Sequence, residues 1–276
     1  MQSKHKTKQI TVNHIRISYI EAGPSDAPVI LFLHGFPFDK SMWSEQLSFL
    51  QKDFRIIAMD IRGHGESDLG SEDFSIDLFA YDLIEFMNAL ALEEIVLCGH
   101  SMGGYVTLNA IHRFPKRFKG LVLAGTSCIA DNAEVKQKRL DTIKFIQNEG
   151  QEKYAEEILP KLFSKSSILS LPNETKLIRD LIIKTSEESI ISTLKALANR
   201  EETCGNLSQI DIPVLIIVGN EDILTPPVLS EQLLKGIQGS KLKVFQEAGH
   251  LTNLEKAIEF NHEVYDFLNL VSSSSL

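Results

Sequence analysis

Short runs in which nearly every residue is apolar recur along the chain. Such runs predict strands that are buried on both faces of a parallel sheet. They lie at residues 29–33, 54–59, 95–98, 121–124, 214–218 and 242–245. Residues 10–12 and 15–19 alternate apolar with polar positions, which predicts a hairpin at the edge of a sheet. The pattern therefore predicts eight strands.

Longer segments with apolar residues at helical spacing lie between several of these strands. They cover residues 41–50, 75–91, 102–114 and 255–270. Pro115 forbids continuation of the third segment. Alternating strands and helices of this kind predict an α/β fold with a mostly parallel sheet.

Residues 127–203 have a different character, because they contain no strand-like run. Four helical patterns occupy residues 134–147, 153–163, 174–184 and 187–198. We therefore expect an all-helical insertion at residues 127–203. The two flanking parts, 1–126 and 204–276, are expected to form one core domain, as a chain of 276 residues allows.

Composition narrows the possible partners. The hydrophobic fraction of 43% and the charged fraction of 24% are ordinary for a globular protein. A net charge of −9, with no basic cluster beyond residues 4–8, argues against a nucleic-acid partner. No apolar stretch approaches the roughly 18 residues of a spanning helix, and the polar N-terminus lacks the core of a signal peptide. We expect a soluble, cytoplasmic protein without a membrane span.

The three cysteines give a further expectation about the compartment. Cys98, Cys128 and Cys204 are widely spaced and form no C-x-x-C pair. An odd number at such spacing favours reduced thiols over a disulfide framework or a zinc site. Cys98 falls inside a predicted strand, so we expect it to be a core residue.

The motif Gly-x-Ser-x-Gly at residues 99–103 follows the strand at 95–98 and opens the next helix. A sharp strand-to-helix turn strains its central residue and brings neighbouring backbone close, so Gly99 and Gly103 suit the positions on either side. Glycines also flank serines in many ordinary loops, and the bare motif often occurs by chance. Its position between strand and helix makes Ser101 the candidate nucleophile.

A serine hydroxyl needs a base, and the base needs an acid to orient it. The loop after the strand at 214–218 carries Glu221 and Asp222, and the loop after the last strand carries His250. The order Ser101, Asp222, His250 is the triad order of one class of hydrolases. Position along the chain does not decide whether Glu221 or Asp222 is the acid. Structural roles are expected for the other histidines, which are His5, His14, His34, His64, His100, His112 and His262.

The loop at residues 60–67 also follows a strand, and it is either a wall of the site or structural bracing. We favour bracing. Together with four other segments, this loop carries a family resemblance that spans residues 15–268. The segments are His-Gly-Phe-Pro at 34–37, Asp-x-Arg-Gly-x-Gly-x-Ser at 60–67, Gly-His-Ser-Met-Gly-Gly at 99–104, Gly-x-x-Asp at 219–222 and Gly-His at 249–250.

These segments resemble the α/β-hydrolase fold superfamily, in its lid-bearing serine esterase and lactonase branch. The resemblance implies a mostly parallel eight-stranded sheet flanked by helices, with the helical insertion as a cap over the site. It also implies that the backbone N–H groups of Phe36 and Met102 form the oxyanion hole. Pro37 has no N–H and cannot be the donor. Asp222 is the acid that the resemblance favours.

The nucleophile separates branches of this superfamily. Haloalkane dehalogenases and epoxide hydrolases resemble the chain but have aspartate at the turn, so Ser101 argues against both. The expected reaction is hydrolysis of a small-molecule carboxylic ester or lactone through an acyl-enzyme. Carbon–carbon bond hydrolysis or perhydrolysis by the same triad is an alternative, and so is a non-catalytic small-molecule receptor.

The sequence also gives expectations about cofactors and the pocket. No H-E-x-x-H motif occurs and no G-x-G-x-x-G follows a strand, so we expect neither a metal nor another cofactor. Apolar residues of the cap exceed what short helices need for packing on one another, and some are expected to line the substrate pocket. The predicted substrate-binding residues are Phe36, Met102, Phe145, Phe163 and Leu251.

Overall fold

The computed structural model of the chain describes residues 5–273. Eight strands form one sheet. They are β1 (Thr7–Val12), β2 (Ile15–Ala22), β3 (Val29–Leu33), β4 (Arg55–Met59), β5 (Ile95–His100), β6 (Phe118–Ala124), β7 (Val214–Gly219) and β8 (Lys241–Phe245). Their order across the sheet is β1-β2-β4-β3-β5-β6-β7-β8. Within residues 5–273, only the pairs β1–β2 and β2–β4 are antiparallel. The predicted mostly parallel, eight-stranded sheet is confirmed.

Helices connect and flank the strands. They are α1 (Ser44–Leu50), α2 (Ile76–Ala89), α3 (Met102–Arg113), α4 (Ala133–Leu162), α5 (Ser167–Ser170), α6 (Pro172–Lys184), α7 (Glu187–Asn199), α8 (Pro227–Gly236), α9 (Thr252–Glu255) and α10 (Ala257–Ser273). Ser75 caps α2 by accepting a hydrogen bond from the N–H of Leu78. Pro115 follows the end of α3, as predicted. Helix α8 is not among the helices that the sequence patterns predict.

The central strands are buried on both faces, which explains their continuous apolar runs. In β3, Ile30 and Phe32 belong to one hydrophobic cluster, whereas Leu31 and Leu33 belong to the other. This alternation is the two-residue period of a strand. The sheet therefore has a core on each side, and β5, which leads to Ser101, lies in its middle.

The chain between β6 and β7 contains helices α4 to α7 and no strand, and the structure describes every residue of it. The break that the sequence patterns predict near residue 150 is confirmed, because α4 consists of two helical halves that meet at a kink where the backbone of Gly150 is not helical. Gly150 has a φ of 83°, a left-handed conformation that favours glycine. The kink divides α4 into a first half, residues 133–149, and a second half, residues 151–162.

The helical segment is tied to two loops and to helix α9 of the sheet domain. Thr185 Oγ1 donates to the carbonyl of Pro37 at 3.0 Å. Ser189 Oγ donates to the carbonyl of Gly63 at 2.5 Å. A third bond joins the N–H of Ser164 to the Glu255 carboxylate at 2.7 Å. These contacts hold the segment above the ends of the parallel strands.

The prediction of three reduced thiols is wrong, because Cys128 and Cys204 form a disulfide. The two cysteines are 76 positions apart in the sequence, but they are neighbours in the structure because the two ends of the helical segment lie side by side. The N–H of Thr203 donates to the carbonyl of Cys128 at 2.9 Å and fixes that closure. The spacing of cysteines along the sequence does not show that the chain comes back to Cys128 at Cys204. Cys98 is free and buried, as expected.

The disulfide removes the cysteine argument for a reducing compartment. Within residues 5–273, no helix is long and apolar enough to cross a membrane.

Candidate active site

Ser101 lies on the turn between β5 and α3 in a strained conformation, with φ 51° and ψ −112°. The two flanking glycines allow this turn. A Cβ on Gly99 would lie 2.3 Å from the carbonyl oxygen of Gly103, and a Cβ on Gly103 would lie 2.5 Å from that of Leu33. Any side chain at either position would displace backbone. The turn presents the Ser101 side chain to a cavity above the sheet.

His250 and Asp222 follow β8 and β7 and meet beside this cavity. Nδ1 of His250 lies 2.8 Å from Oδ2 of Asp222. Thr225 Oγ1 donates to the same carboxylate oxygen at 2.7 Å, and the N–H groups of Leu224 and Thr225 donate to Oδ1 at 2.9 Å each. The Asp222 side chain is therefore held by four donors, and His250 Nδ1 carries the proton in that contact.

The surroundings of Asp222 keep it ionised. Burial raises the pKa of this carboxyl, but the neighbouring His250 and the hydrogen bonds from His250 and Thr225 outweigh it, so the net pKa is lowered. Glu221 is exposed and has no side-chain contact with His250 among the hydrogen bonds of residues 5–273. The structure thus pairs the histidine with Asp222 and not with its neighbour.

Ser101 and His250 line the same cavity. Among residues 5–273, no hydrogen bond of 3.5 Å or less joins the Ser101 hydroxyl to the imidazole. Catalytic hydrogen bonds in ligand-free enzymes are often long and tighten when substrate binds. Because Nδ1 donates to Asp222, Nε2 is the nitrogen left to accept a proton.

Two backbone N–H groups beside Ser101 suit a developing negative charge. Met102 is the first residue of α3, where N–H groups have no partner within the helix. The loop after β3 approaches closely, because a Cβ on Gly35 would lie 3.3 Å from Ser101 Cβ. In the described part of the chain, neither the N–H of Phe36 nor that of Met102 donates to a protein acceptor. Both residues line the cavity.

The cavity has a volume of about 620 Å³ and lies between the sheet and α4. Its wall includes three of the predicted substrate-binding residues, Phe36, Met102 and Phe145. Phe163 and Leu251 are not on the wall, and this part of the pocket prediction is corrected. Both side chains are buried in the hydrophobic cluster that joins α4 to the sheet. Apolar character alone does not tell a packing residue from a lining residue.

Three histidines near the site have structural surroundings, as expected. His34 bonds the carbonyl of Gly35 and accepts from the N–H of Ile61, at 2.8 and 2.9 Å. Nε2 of His100 donates to the carbonyl of His250 at 2.9 Å. His64 bonds the carbonyl of Arg62 at 3.0 Å. Burial lowers the pKa of His34 to about 4 and the pKa values of His64 and His100 to about 3, so all three stay neutral.

The loop at residues 60–67 braces the site. The buried Asp60 carboxylate accepts from the backbone N–H and the Nζ of Lys40, at 2.7 and 2.6 Å. Arg62 is fully buried and pairs with Asp82 through two hydrogen bonds of 2.7 and 2.9 Å. None of these four residues lines the cavity. The arrangement agrees with a bracing role for this loop.

Sequence reasoning missed two residues that support His250. Thr225 holds the Asp222 carboxylate, and the spacing Asp-x-x-Thr was its only signal. Glu255 Oε1 accepts from the N–H groups of Gly249 and Leu251, on either side of the histidine, at 2.9 and 3.2 Å. Its Oε2 accepts from the N–H of Ser164, just after the end of α4. The sequence around Glu255 gives no sign of this contact.

Comparison with known proteins agrees with the geometry. Residues 28–170 match the model of the alpha/beta hydrolase fold family. A solved thermophilic esterase from Thermogutta terrifontis is 31% identical, with a TM-score of 0.90 over 96% of this chain and 99% of its own. The chain belongs to the α/β-hydrolase fold family.

Two enol-lactonases also resemble this α/β-hydrolase. The enol-lactonase structure from Burkholderia xenovorans LB400 is 28% identical, with a TM-score of 0.89 over 95% of this chain and all of its own. The 3-oxoadipate enol-lactonase 2 of Acinetobacter baylyi is 28% identical over 260 residues, which cover 94% of this chain and 96% of that protein. The expected resemblance to esterases and lactonases is confirmed.

Proposed function

We propose that this α/β-hydrolase is a serine hydrolase that cleaves carboxylic esters or lactones through an acyl-enzyme. The observation that carries the proposal is the His250–Asp222 contact of 2.8 Å beside the cavity that Ser101 lines. An imidazole held at Nδ1 by an ionised carboxylate is the usual base for a serine nucleophile. The named relatives, an esterase and two enol-lactonases, support the same bond type.

In the first half-reaction, Ser101 Oγ attacks the acyl carbon and its proton passes to His250 Nε2. The negative charge that develops on the carbonyl oxygen is stabilised by the N–H groups of Phe36 and Met102. The carbon–oxygen bond to the leaving alkoxide then breaks. His250 gives its proton to that oxygen, and the acyl group stays on Ser101.

In the second half-reaction, water takes the place of the serine hydroxyl. His250 accepts a proton from the water, whose oxygen attacks the acyl carbon. The bond to Ser101 Oγ breaks, the serine recovers its proton from His250, and a carboxylic acid is released. In a lactone, the leaving alkoxide and the acid belong to one molecule, which opens to a hydroxy acid.

We further propose that residues 127–203 act as a cap that selects substrates without doing chemistry. Ser101, Asp222 and His250 lie outside this segment, as do Phe36 and Met102. Both halves of α4 face the cavity, with Phe145 from the first half and Leu162 from the second. Access to Ser101 therefore passes beside cap side chains.

The test is turnover of small esters and lactones by the wild type and by Ser101→Ala. The variant loses one hydroxyl on a loop, so we expect it to fold normally and to have no measurable turnover. A folded Ser101→Ala protein with full activity would exclude the serine mechanism. A wild type that binds such molecules without hydrolysing them would favour the receptor alternative.

A further inference from the structure

Two polar side chains that the mechanism does not use lie on the cavity wall. Arg139 comes from the first half of α4 and Tyr154 from the second half. Their neighbours on the wall include the apolar residues Phe145, Ile158 and Leu162. A few polar groups in a mostly apolar pocket usually fix the orientation of a ligand.

Tyr154 has a hydroxyl without a protein partner. The side chain is only 7% exposed, and its hydroxyl takes part in no hydrogen bond with protein among residues 5–273. The hydroxyl oxygen is not one of the fully buried polar atoms that lack a partner, so it is accessible from the cavity whose wall Tyr154 lines. A tyrosine hydroxyl in an otherwise apolar environment usually finds a hydrogen-bond partner. Burial raises the pKa of Tyr154, although the nearby charge of Arg139 lowers it in part. The hydroxyl stays protonated and can donate to a ligand in the cavity.

Arg139 belongs to a buried cluster with a surplus positive charge. The buried carboxylate of Asp131 binds both Arg139 and Arg200, so the three side chains carry a net charge of +1. Arg200 also donates to two backbone carbonyls and lies over the Tyr105 ring, 4.2 Å from its centroid. Burial favours the neutral form of Asp131, but the two guanidinium groups outweigh it and lower its pKa, so it stays ionised.

Arg139 is the member of the cluster with donors to spare. Its Nε and Nη2 bind Asp131, whereas its Nη1 has no protein acceptor within the described residues. At the rim of the cavity, the exposed cations Lys138 and Lys161 are balanced by the exposed carboxylates of Asp141 and Glu157. Among the cap residues on and behind the cavity wall, the surplus positive charge is therefore that of the cluster behind Arg139.

We propose that Arg139 and Tyr154 form a subsite that binds a carboxylate of the substrate, in the same cavity as Ser101. A guanidinium group matches the two oxygens of a carboxylate, and the tyrosine hydroxyl supplies a further donor. The substrate is then an ester or lactone that carries a carboxylate besides its scissile bond. This inference rests on the proposed function for the bond that is cleaved, but carboxylate binding can be measured separately.

The kinetic test compares two esters that differ only in charge. They are the monoethyl ester of adipic acid and the ethyl ester of adipamic acid, in which an amide replaces the free carboxylate. We expect the wild type to prefer the acid ester in kcat/KM by at least tenfold. Each variant removes a hydrogen bond to a charged group, so Arg139→Gln and Tyr154→Phe should each reduce that preference by about tenfold or more.

Two control variants match these changes away from the cavity. Lys176→Gln removes a positive charge from the exposed side of α6, and Tyr81→Phe removes the hydroxyl of an exposed tyrosine on α2. Both should leave the preference at its wild-type value. A wild type without preference for the acid ester, or variants that slow both esters equally, would overturn the subsite and leave the proposed hydrolysis standing.

The binding test does not depend on turnover. Calorimetric titration of Ser101→Ala with adipate should show binding that weakens at least tenfold when Tyr154→Phe or Arg139→Gln is added, whereas adipamide should bind weakly to all three proteins. Adipate binding of this kind in an enzyme that hydrolyses neither ester supports the subsite and contradicts the proposed function. Equal binding of adipate and adipamide to Ser101→Ala overturns the subsite.

Discussion

His250 and Asp222 come from different loops, and the 2.8 Å contact between Nδ1 and Oδ2 fixes which histidine nitrogen faces the cavity. Replacing Asp222 by Asn puts an amide where Nδ1–H now donates, which favours the wrong tautomer of the imidazole. We expect Asp222→Asn to lower kcat by roughly 10³- to 10⁴-fold, as in other serine triads. Steady-state kinetics on a small ester measures the effect.

Glu221→Gln is the matched control for that change. Glu221 is the neighbouring residue, is exposed and does not contact His250. Its variant should keep kcat within about twofold of the wild type, as most surface substitutions have little effect. If Glu221→Gln lowered kcat more than Asp222→Asn, Glu221 would be the catalytic acid.

The pH dependence of kcat/KM follows from the same pair. The pKa of Asp222 is lowered from its ordinary value of 3.8, so this carboxylate is ionised throughout the neutral range. The remaining requirement is that His250 is neutral, because it must accept the Ser101 proton. We expect kcat/KM to rise with pH through one ionisation. A flat profile from about pH 5 to 9, with chemistry shown to be rate-limiting, would rule out a histidine base.

Much of this pair could be expected from the sequence, because each residue follows an apolar run that forms a parallel strand: β7, which is buried, before Asp222 and β8, a largely exposed edge strand, before His250. The elements β3, β5 and β7 begin at the residues that the runs indicated. Strand ends meet at one edge of a parallel sheet, so the order of Ser101, Asp222 and His250 already implied their proximity. Position alone left Glu221 and Asp222 both open, since a one-residue difference decides which carboxylate points at the histidine, and the family resemblance favoured Asp222.

The cap was less predictable for a physical reason. Its residues pack against one another and against a cavity, and both surroundings favour apolar side chains. Phe145 and Phe163 therefore have the same sequence character, although only the first lines the cavity. The Cys128–Cys204 pair depends on where the cap returns to the sheet, which no local pattern encodes.

Phe145 and Phe163 now give opposite predictions. Phe145→Ala enlarges the cavity wall, so it should change the relative kcat/KM of esters with different acyl sizes more than it changes the best kcat. Phe163→Ala leaves a hole in the core, so it should lower the free energy of unfolding by about 3–5 kcal/mol with the substrate ranking kept. An ester panel and denaturant unfolding of both variants measure the two effects. If both variants changed the substrate ranking to the same extent, Phe163 would also be a pocket residue.

The disulfide predicts a countable number of thiols. Thiol titration of the unfolded, unreduced protein should detect one cysteine, Cys98, and titration after reduction should detect all three. Cross-linking positions 76 residues apart restricts the unfolded chain, so Cys128→Ser with Cys204→Ser should lower the free energy of unfolding by about 2–4 kcal/mol. The Tm of this double variant should no longer respond to dithiothreitol. Three thiols before reduction would mean that the bond is absent.

Covalent labelling of Ser101 tests the central claim most directly. A fluorophosphonate reacts with a serine that an adjacent base has activated, so the intact wild type should gain one adduct that peptide mass spectrometry maps to Ser101. Ser101→Ala should gain none, and labelling of His250→Ala should be slower by orders of magnitude. A folded wild type that gains no adduct, or an adduct that maps to a serine other than Ser101, would contradict the serine hydrolase assignment.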